Sequence, residues 1–279
     1  MARHKILTFT VLYFVQAWTM MVHLRQPGFN SPIPLDMVPN SVDDKYQNCT
    51  EKMYKKVQEE YLPNENSNVG IFKQAWVKAE GCSKTLMKRF KMDKSKYNSK
   101  DRLTHDHIKA ICAYSGGQTQ IYPVFNQAVR TNRAEYTTSF QFHSLHFLLT
   151  DAIRLLKLNQ KTCHTTYRRT KVEFDGKVNK VIRFGFFASS SFLKNLTHFG
   201  EKSCFEIKTC FGAYLKSFPE MGNYEKEVLI PPYEMFKVTA LLKKENDKNL
   251  WCDVVYKLTS IKPTKSNLNC KIFKKQIIN

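Results

Sequence analysis

Glu225 and Glu227 stand two residues apart in NYEKEVLIPP, residues 223–232, and run straight into Val228, Leu229 and Ile230. Such an apolar run reads as the start of a buried strand. Residues i and i+2 of an extended chain face the same way. The two carboxylates therefore point into one space, with Lys226 on the other side. They repel each other, so a cation must pair with them or one must hold a proton. Taken alone, a charged pair before a strand is most often a solvated turn. Two further polar stretches lie in the same half of the chain, Tyr167-Arg168-Arg169 and Phe187-Ala188-Ser189-Ser190-Ser191. Each by itself reads as a basic strand edge or a polar strand end.

The elements that must carry these stretches fall into two halves. Asn40 to Leu62 has helical spacing in Tyr46, Cys49, Met53 and Val57, with Ser41 as the expected cap and Asp44 three residues on. Further helical patterns cover Val69 to Arg89, Thr104 to Tyr114, and Tyr136 to Leu158. Lys91 to Arg102 is a lysine-rich exposed connection between them. His143 and His146 lie three apart on the last helix; without a third ligand they read as packed histidines rather than a metal site. Beyond Gln160 come short β-branched and aromatic runs: Cys163–Thr170, Val181–Ser189, Cys204–Cys210, Glu227–Ile230, Met235–Leu241 and Trp251–Leu258. Helices first and strands second predict an α+β fold, a helical N-terminal half packed on a mainly antiparallel two-sheet β core. The helical part spans about residues 35–160 and the β core about 161–279. Neither GxGxxG nor GxxxxGK[ST] occurs, so no Rossmann or P-loop nucleotide site is signalled.

The chain has 279 residues, 42% of them hydrophobic, which is enough for a sizeable core. Its net charge is +20, a surface that attracts polyanions and anionic ligands. Residues 1–24 read as a secretory signal peptide: Arg3, His4 and Lys5 precede the apolar ILTFTVLYFV, and cleavage is expected between Ala17 and Arg25. The mature domain would then span residues 25–279. Outside the cell disulfides are expected, and the eight cysteines are an even number with no CxxC. Sequons stand at Asn195 and at Asn48, the latter beside Cys49. The tail CKIFKKQIIN has no apolar run of the ~10–20 residues that a lipid-anchor signal needs, so a soluble, secreted protein is expected.

In this order the three polar stretches resemble the Arg…Ser…Glu-x-Glu signature of the arginine-specific ecto-mono-ADP-ribosyltransferases. LDMVPNSVDDKYQNC at Leu35–Cys49 is similar to that family's amino-terminal motif. AYSGGQTQIYPVFNQAVR at Ala113–Arg130 and FQFHSLHFLLTDAIRLL at Phe140–Leu156 resemble its next blocks, and RFGFFASSS, IKTCFGA and EKEVLIPP follow in the family's order. The resemblance covers nearly everything from Leu35 to Cys270. It implies the ADP-ribosyltransferase fold and the transfer of ADP-ribose from NAD, with NADP as a further donor, to arginine-bearing acceptor proteins, with no metal. The catalytic residues it implies are Arg168, Ser189 and Glu227, with Glu225 selecting the acceptor arginine. Arg168 and Ser189 would also hold NAD, together with Tyr114, Ser217 and, as a wall beside nicotinamide, Phe199.

The resemblance also implies the disulfides Cys49–Cys270 and Cys163–Cys210. For the remaining cysteines, Cys82–Cys112 and Cys204–Cys252 is the pairing that stays within each half. Two positions depart from the family. Arg169 stands where glycine is usual, so that its side chain either narrows the pocket or points away. Phe186 replaces a residue that is usually polar. These departures and the +20 charge leave two other outcomes, an enzyme that mainly hydrolyses NAD, and an inactive basic protein that binds polyanions through the same fold.

Overall fold

The computed structural model describes residues 31–92, 102–116, 121–215 and 226–274. Residues 1–24, where a leader is expected, and Ser217 and Glu225 lie outside the described residues.

The first half is helical. Helix α1 (Thr50–Lys56) runs through a π-helical turn at Val57–Tyr61 into α2 (Leu62–Ser67). Helices α3 (Ile71–Met92), α4 (His105–Ser115), α5 (Ile121–Thr131) and α6 (His143–Leu158) follow. Helix α6 is buried on almost every face, and Leu145, Phe147, Leu148, Leu149 and Ala152 are fully buried. A helix of that kind belongs inside a core rather than on a surface. The apolar cluster it anchors extends into the second half through Phe187, Ala213 and Leu229, so helices and strands share one core there.

The strands form two ladders. A short parallel one joins β1 (Ile33–Pro34) to β3 (Phe174–Asp175). The larger holds β2 (His164–Arg168), β4 (Val181–Ile182), β5 (Ala188–Ser191), β6 (Ser203–Thr209), β7 (Ala213–Tyr214), β8 (Glu227–Ile230), β9 (Met235–Lys243) and β10 (Val254–Ile261). Its order is β4-β9-β10-β6-β2-β5-β8-β7. Every pairing in it is antiparallel except β10 with β6. A second apolar cluster, with Phe184, Phe205, Phe236 and Tyr256, packs between its strands.

Several boundaries differ from the sequence expectation. Residues 40–49 are not helical, and α1 begins at Thr50. Ser41 does not cap a helix; its hydroxyl donates to the Gly185 carbonyl at 2.8 Å. Asp43 takes the Arg183 guanidinium and the backbone N–H groups of Asn267 and Leu268. Asp44 accepts from the Tyr136 hydroxyl and from the N–H groups of Tyr46 and Cys270. These short polar side chains serve partners far along the chain, and the positive φ of Tyr46 and Asn48 interrupts any helix there. The last helix starts at His143 rather than Tyr136, and its first N–H groups are accepted by the distant carboxylate of Glu65. The run Val181–Ser189 divides into β4 and β5. Helix α5 and strand β7 were not anticipated; α5 carries an asparagine and a proline, and β7 has only two residues.

All eight cysteines are paired: Cys49–Cys270, Cys82–Cys112, Cys163–Cys210 and Cys204–Cys252. Cys163–Cys210 closes the end of the β2–β6 pair, one residue beyond the His164–Thr209 register. A native bridge of this kind typically contributes ~2–5 kcal/mol.

Candidate active site

Strands β2, β5 and β8 are consecutive neighbours in the large ladder, and each brings one of the three polar stretches. Tyr167 of β2 lies opposite Ser191 of β5, and Ser191 lies opposite Glu227 of β8. Residues directly opposite share a face, and neighbouring strands are about 4.8 Å apart. Ser189, two residues before Ser191, faces the same way as Glu227. Glu227 is half-buried at the start of its strand.

Arg168 ends β2. Its Nη1 donates to the main-chain carbonyl of Ser189 at 2.6 Å. Its guanidinium carbon also sits 5.8 Å from the Phe186 ring centroid, and that of Arg130 sits at 5.8 Å from the same ring. Phe186 therefore gives two cations an aromatic face in place of a polar side chain.

Behind β5 stands a buried brace. Asn126 of α5 accepts from the Phe187 N–H at 3.2 Å and donates to the Phe187 carbonyl at 3.2 Å. One side-chain amide thus satisfies both backbone groups of a residue, as a neighbouring strand would. Tyr114 of α4 donates to the same carbonyl at 2.7 Å and accepts from the Asn126 amide at 3.0 Å. Tyr114 is only 3% exposed, and burial pushes its hydroxyl well above the usual range, with Tyr122 and Glu227 acting in the same direction. It also hydrogen-bonds Ser189. The sequence expectation put Tyr114 among NAD contacts; the contacts described for it brace the strand that carries Ser189. Asn126 was missed from sequence. The signal was there in a polar residue inside the apolar stripe of Ile121, Phe125 and Val129.

A second amide does the same at the ladder's edge. Gln160 accepts from the Tyr214 N–H at 2.8 Å and donates to its carbonyl at 3.0 Å. Glu234 holds the turn between β6 and β7, accepting from the Thr209 hydroxyl at 2.6 Å and the Cys210 N–H at 2.7 Å. Burial raises its carboxyl despite these donors.

Arg169 is on the opposite face of the chain from Arg168. Its guanidinium lies 4.8 Å from the Trp251 ring centroid and bonds Lys194, Glu201 and Trp251. Arg168 shares none of these partners, packing instead on Phe186 and bonding Ser189. Phe199 lies on the segment after β5, in a 3-10 turn at Thr197–Phe199, 39% exposed, with its ring against His198 at 4.1 Å. Asn195, on the same segment, and Asn48 are exposed.

His146 is buried with both nitrogens engaged, Nδ1 with the Tyr46 hydroxyl at 2.7 Å and Nε2 with the Val42 carbonyl at 2.9 Å. His143 stacks on Tyr61 at 4.2 Å. No group of three or more metal-ligating side chains occurs among the described residues.

The sequence model of one protein family, described as NAD:arginine ADP-ribosyltransferase, matches residues 35–260. The chain is 36% identical over 254 residues to T-cell ecto-ADP-ribosyltransferase 2 of Mus musculus, covering 87% of this chain and 78% of that protein. It is 32% identical over 253 residues to NAD(P)(+)–arginine ADP-ribosyltransferase 1 of Gallus gallus, covering 87% of this chain and 74% of that protein. Among solved structures it superposes on a variant of the eukaryotic mono-ADP-ribosyltransferase ART2.2 in complex with NADH, with a TM-score of 0.70 and 32% identity over 86% of this chain and 99% of the other.

Proposed function

This chain belongs to the NAD:arginine ADP-ribosyltransferase family, and from that membership we propose that it transfers ADP-ribose from NAD to arginine side chains of acceptor proteins, releasing nicotinamide. The observation that carries the proposal is the adjacency of β2, β5 and β8, which gathers Arg168, Ser189 and Glu227 from distant parts of the sequence.

The reaction breaks the bond between nicotinamide and ribose. Its transition state resembles the oxocarbenium ion of glycoside cleavage, with positive charge growing on the ribose ring. A carboxylate fixed beside that ring stabilises the transition state more than the ground state. Glu227 takes this role, holding the ribose 2′-hydroxyl, with Ser189 positioning both. Arg168, fixed charged and fork-shaped, suits the phosphate and ribose oxygens. Ser217 and Phe199 complete the NAD contacts. Glu225 acts on the other substrate: it binds the acceptor guanidinium and takes its proton as the new bond forms.

The test is nicotinamide release from NAD, with and without the arginine analogue agmatine. Release coupled to agmatine modification supports transfer. Release without it marks a hydrolase. No release marks an inactive protein, and the proposal falls. Running the assay with NADP sets the donor preference.

The four disulfides fit an extracellular setting, as does the description of the mouse relative as an ecto-enzyme. Release into the medium as a domain spanning residues 25–279 is the finer proposal, supported by the leader-like start. A cell-surface pool freed by phospholipase would overturn it. The +20 charge supports a contact with polyanions, which retention on immobilised heparin and its salt dependence test.

A further inference from the structure

We infer that Arg169 is a positioning residue for the nicotinamide end of the cleft, pinning both feet of the segment that carries Phe199. This rests on the proposed reading in giving Phe199 a place beside NAD. The segment leaves β5, passes the 3-10 turn Thr197–Phe199 and enters β6 at Ser203. One guanidinium reaches both of its ends. Nε of Arg169 donates to the Lys194 carbonyl at 2.7 Å, and Nη1 donates to Glu201 Oε1 at 3.2 Å. The same Nη1 donates to the Trp251 carbonyl at 3.2 Å, and the guanidinium carbon lies 4.8 Å from the Trp251 ring centroid. The Arg169 side chain is 6% exposed, so its guanidinium is largely covered although Lys194 and Glu201 stand at the surface. A charged donor in that setting makes stronger bonds than a neutral one.

The two feet are not held alike. At the far foot the Lys202 N–H donates to the Thr170 carbonyl at 3.0 Å, and Gly200 packs down on the turn after β2. A Cβ at Gly200 would lie 2.6 Å from the Lys171 backbone nitrogen, and its φ of +113° suits glycine. That foot stays down without Arg169. At the near foot the Nε bond to Lys194 is a tie beyond the Tyr167–Ser191 pair and the His164–Phe192 ring contact. Phe199 is 39% exposed and its ring leans on its own neighbour, His198, so backbone position sets where the ring stands. Freeing Lys194 lets the turn swing about Gly200, and the ring must then be ordered again each time NAD binds. Ordering of that kind costs affinity rather than chemistry. Tyr167, two residues before Arg169, also contacts Trp251, with ring centroids 5.9 Å apart, whereas Arg168 packs on Phe186.

The experiment compares Arg169→Gly and Arg169→Lys with the wild type, alone and with Phe199→Ala. The readouts are hydrogen exchange of residues 194–200 without ligand, NAD binding by calorimetry, and kcat and KM for nicotinamide release. The expected result is faster exchange in that segment and KM and Kd for NAD raised about fivefold to twentyfold, with kcat within about twofold. Lysine does not restore them, since it lacks the fork that spans Lys194 and Trp251; it also serves if Arg169→Gly does not fold. Adding Phe199→Ala to either variant should raise KM no further than Phe199→Ala alone. Unchanged KM and exchange, full rescue by lysine, or losses that multiply with Phe199→Ala would each overturn the inference. If the wild type binds NAD and the variants bind it equally well, only this inference falls. If the wild type binds no NAD, the proposed function falls and takes the inference with it.

Discussion

The Arg168 guanidinium on β2 is bonded to the main chain of Ser189 on β5, Nη1 to carbonyl, at 2.6 Å. The arginine is thereby aimed before any nucleotide arrives, and the strand carrying Ser189 is tied to its neighbour by a side chain as well as by the ladder. Lysine at 168 would keep the charge but lose the rigid fork that holds the carbonyl and aims its other donors at a ligand oxygen. Arg168→Lys should lower kcat/KM for nicotinamide release about 10²-fold or more, with a small change in melting temperature. Near-normal turnover in a folded variant would remove Arg168 from the site.

The paired glutamates should separate two activities. Glu227→Gln should abolish both transfer and NAD hydrolysis, a loss of ~10²–10³ or more, because its charge faces the ribose whichever acceptor is present. Glu225→Gln should cut transfer to agmatine by ~10²–10⁴ while hydrolysis persists, because water depends less on a specific base. Equal loss of both activities in Glu225→Gln would mean that this carboxylate serves NAD itself.

Asn126 should matter to stability more than Tyr114 does. Leucine at 126 leaves the buried Phe187 N–H without its acceptor, whereas Tyr114→Phe leaves the Phe187 carbonyl its bond from Asn126. Urea unfolding should show a loss of about 2–3 kcal/mol for Asn126→Leu and about 1 kcal/mol for Tyr114→Phe. Equal losses would show that the amide brace is not what holds the entry to β5.

The buried imidazole of His143 predicts an acid-sensitive core. Burial first, then His146 and Lys56, lowers its pKa to about 3 from 6.5. The folded state stays neutral while the unfolded state takes up a proton below pH 6.5. Its contribution is therefore intact above that pH and is lost as the pH falls toward about 3. At pH 5 the cost is about 2 kcal/mol. Glu65, pushed up to about 8 by burial, shifts stability in the opposite sense between 8 and its ordinary 4.5, so the comparison must be with a variant. Phenylalanine fits the aromatic surroundings of Tyr61, Tyr136 and Phe140. His143→Phe should match the wild type near pH 7 and exceed it by about 2 kcal/mol at pH 5 in urea unfolding. Parallel pH curves for the two proteins would contradict this.

What the sequence made legible followed local rules. The order of helices and strands was readable because hydrophobic period changes at Gln160, and Glu227–Ile230 was read with its observed bounds because an apolar run follows a charge. The helix begun at Asn40 failed for a physical reason. Ser41 and Asp44 have the types and spacing of a cap, but together with Asp43 they satisfy Gly185, Arg183, Tyr136 and the chain near Cys270 instead. Partners some ninety residues away or more leave no periodic trace. The direction of Arg169 was likewise open, because alternation gives a face but not what waits on it; Trp251 and Lys194 decide it. Asn126 and Gln160 act as substitutes for strand neighbours, and no pattern of hydrophobicity predicts an amide in that role.

The bridge between Cys49 and Cys270 spans a separation of 221 residues, and every residue assigned to the cleft lies between those two cysteines. Tension applied outside them would pass from sulfur to sulfur. The segment before Cys49 would first be drawn off its partners at Asp175, Gly185, Arg183 and Tyr136, and from then on the helices and the eight-stranded ladder would sit on the slack side of that bond. If one end of the chain were tethered and the other pulled, by a bound partner or by flow, the cleft would keep its shape until the bridge was reduced. The protein then behaves mechanically as a knot on a string: the line can be drawn taut on either side without opening the loop.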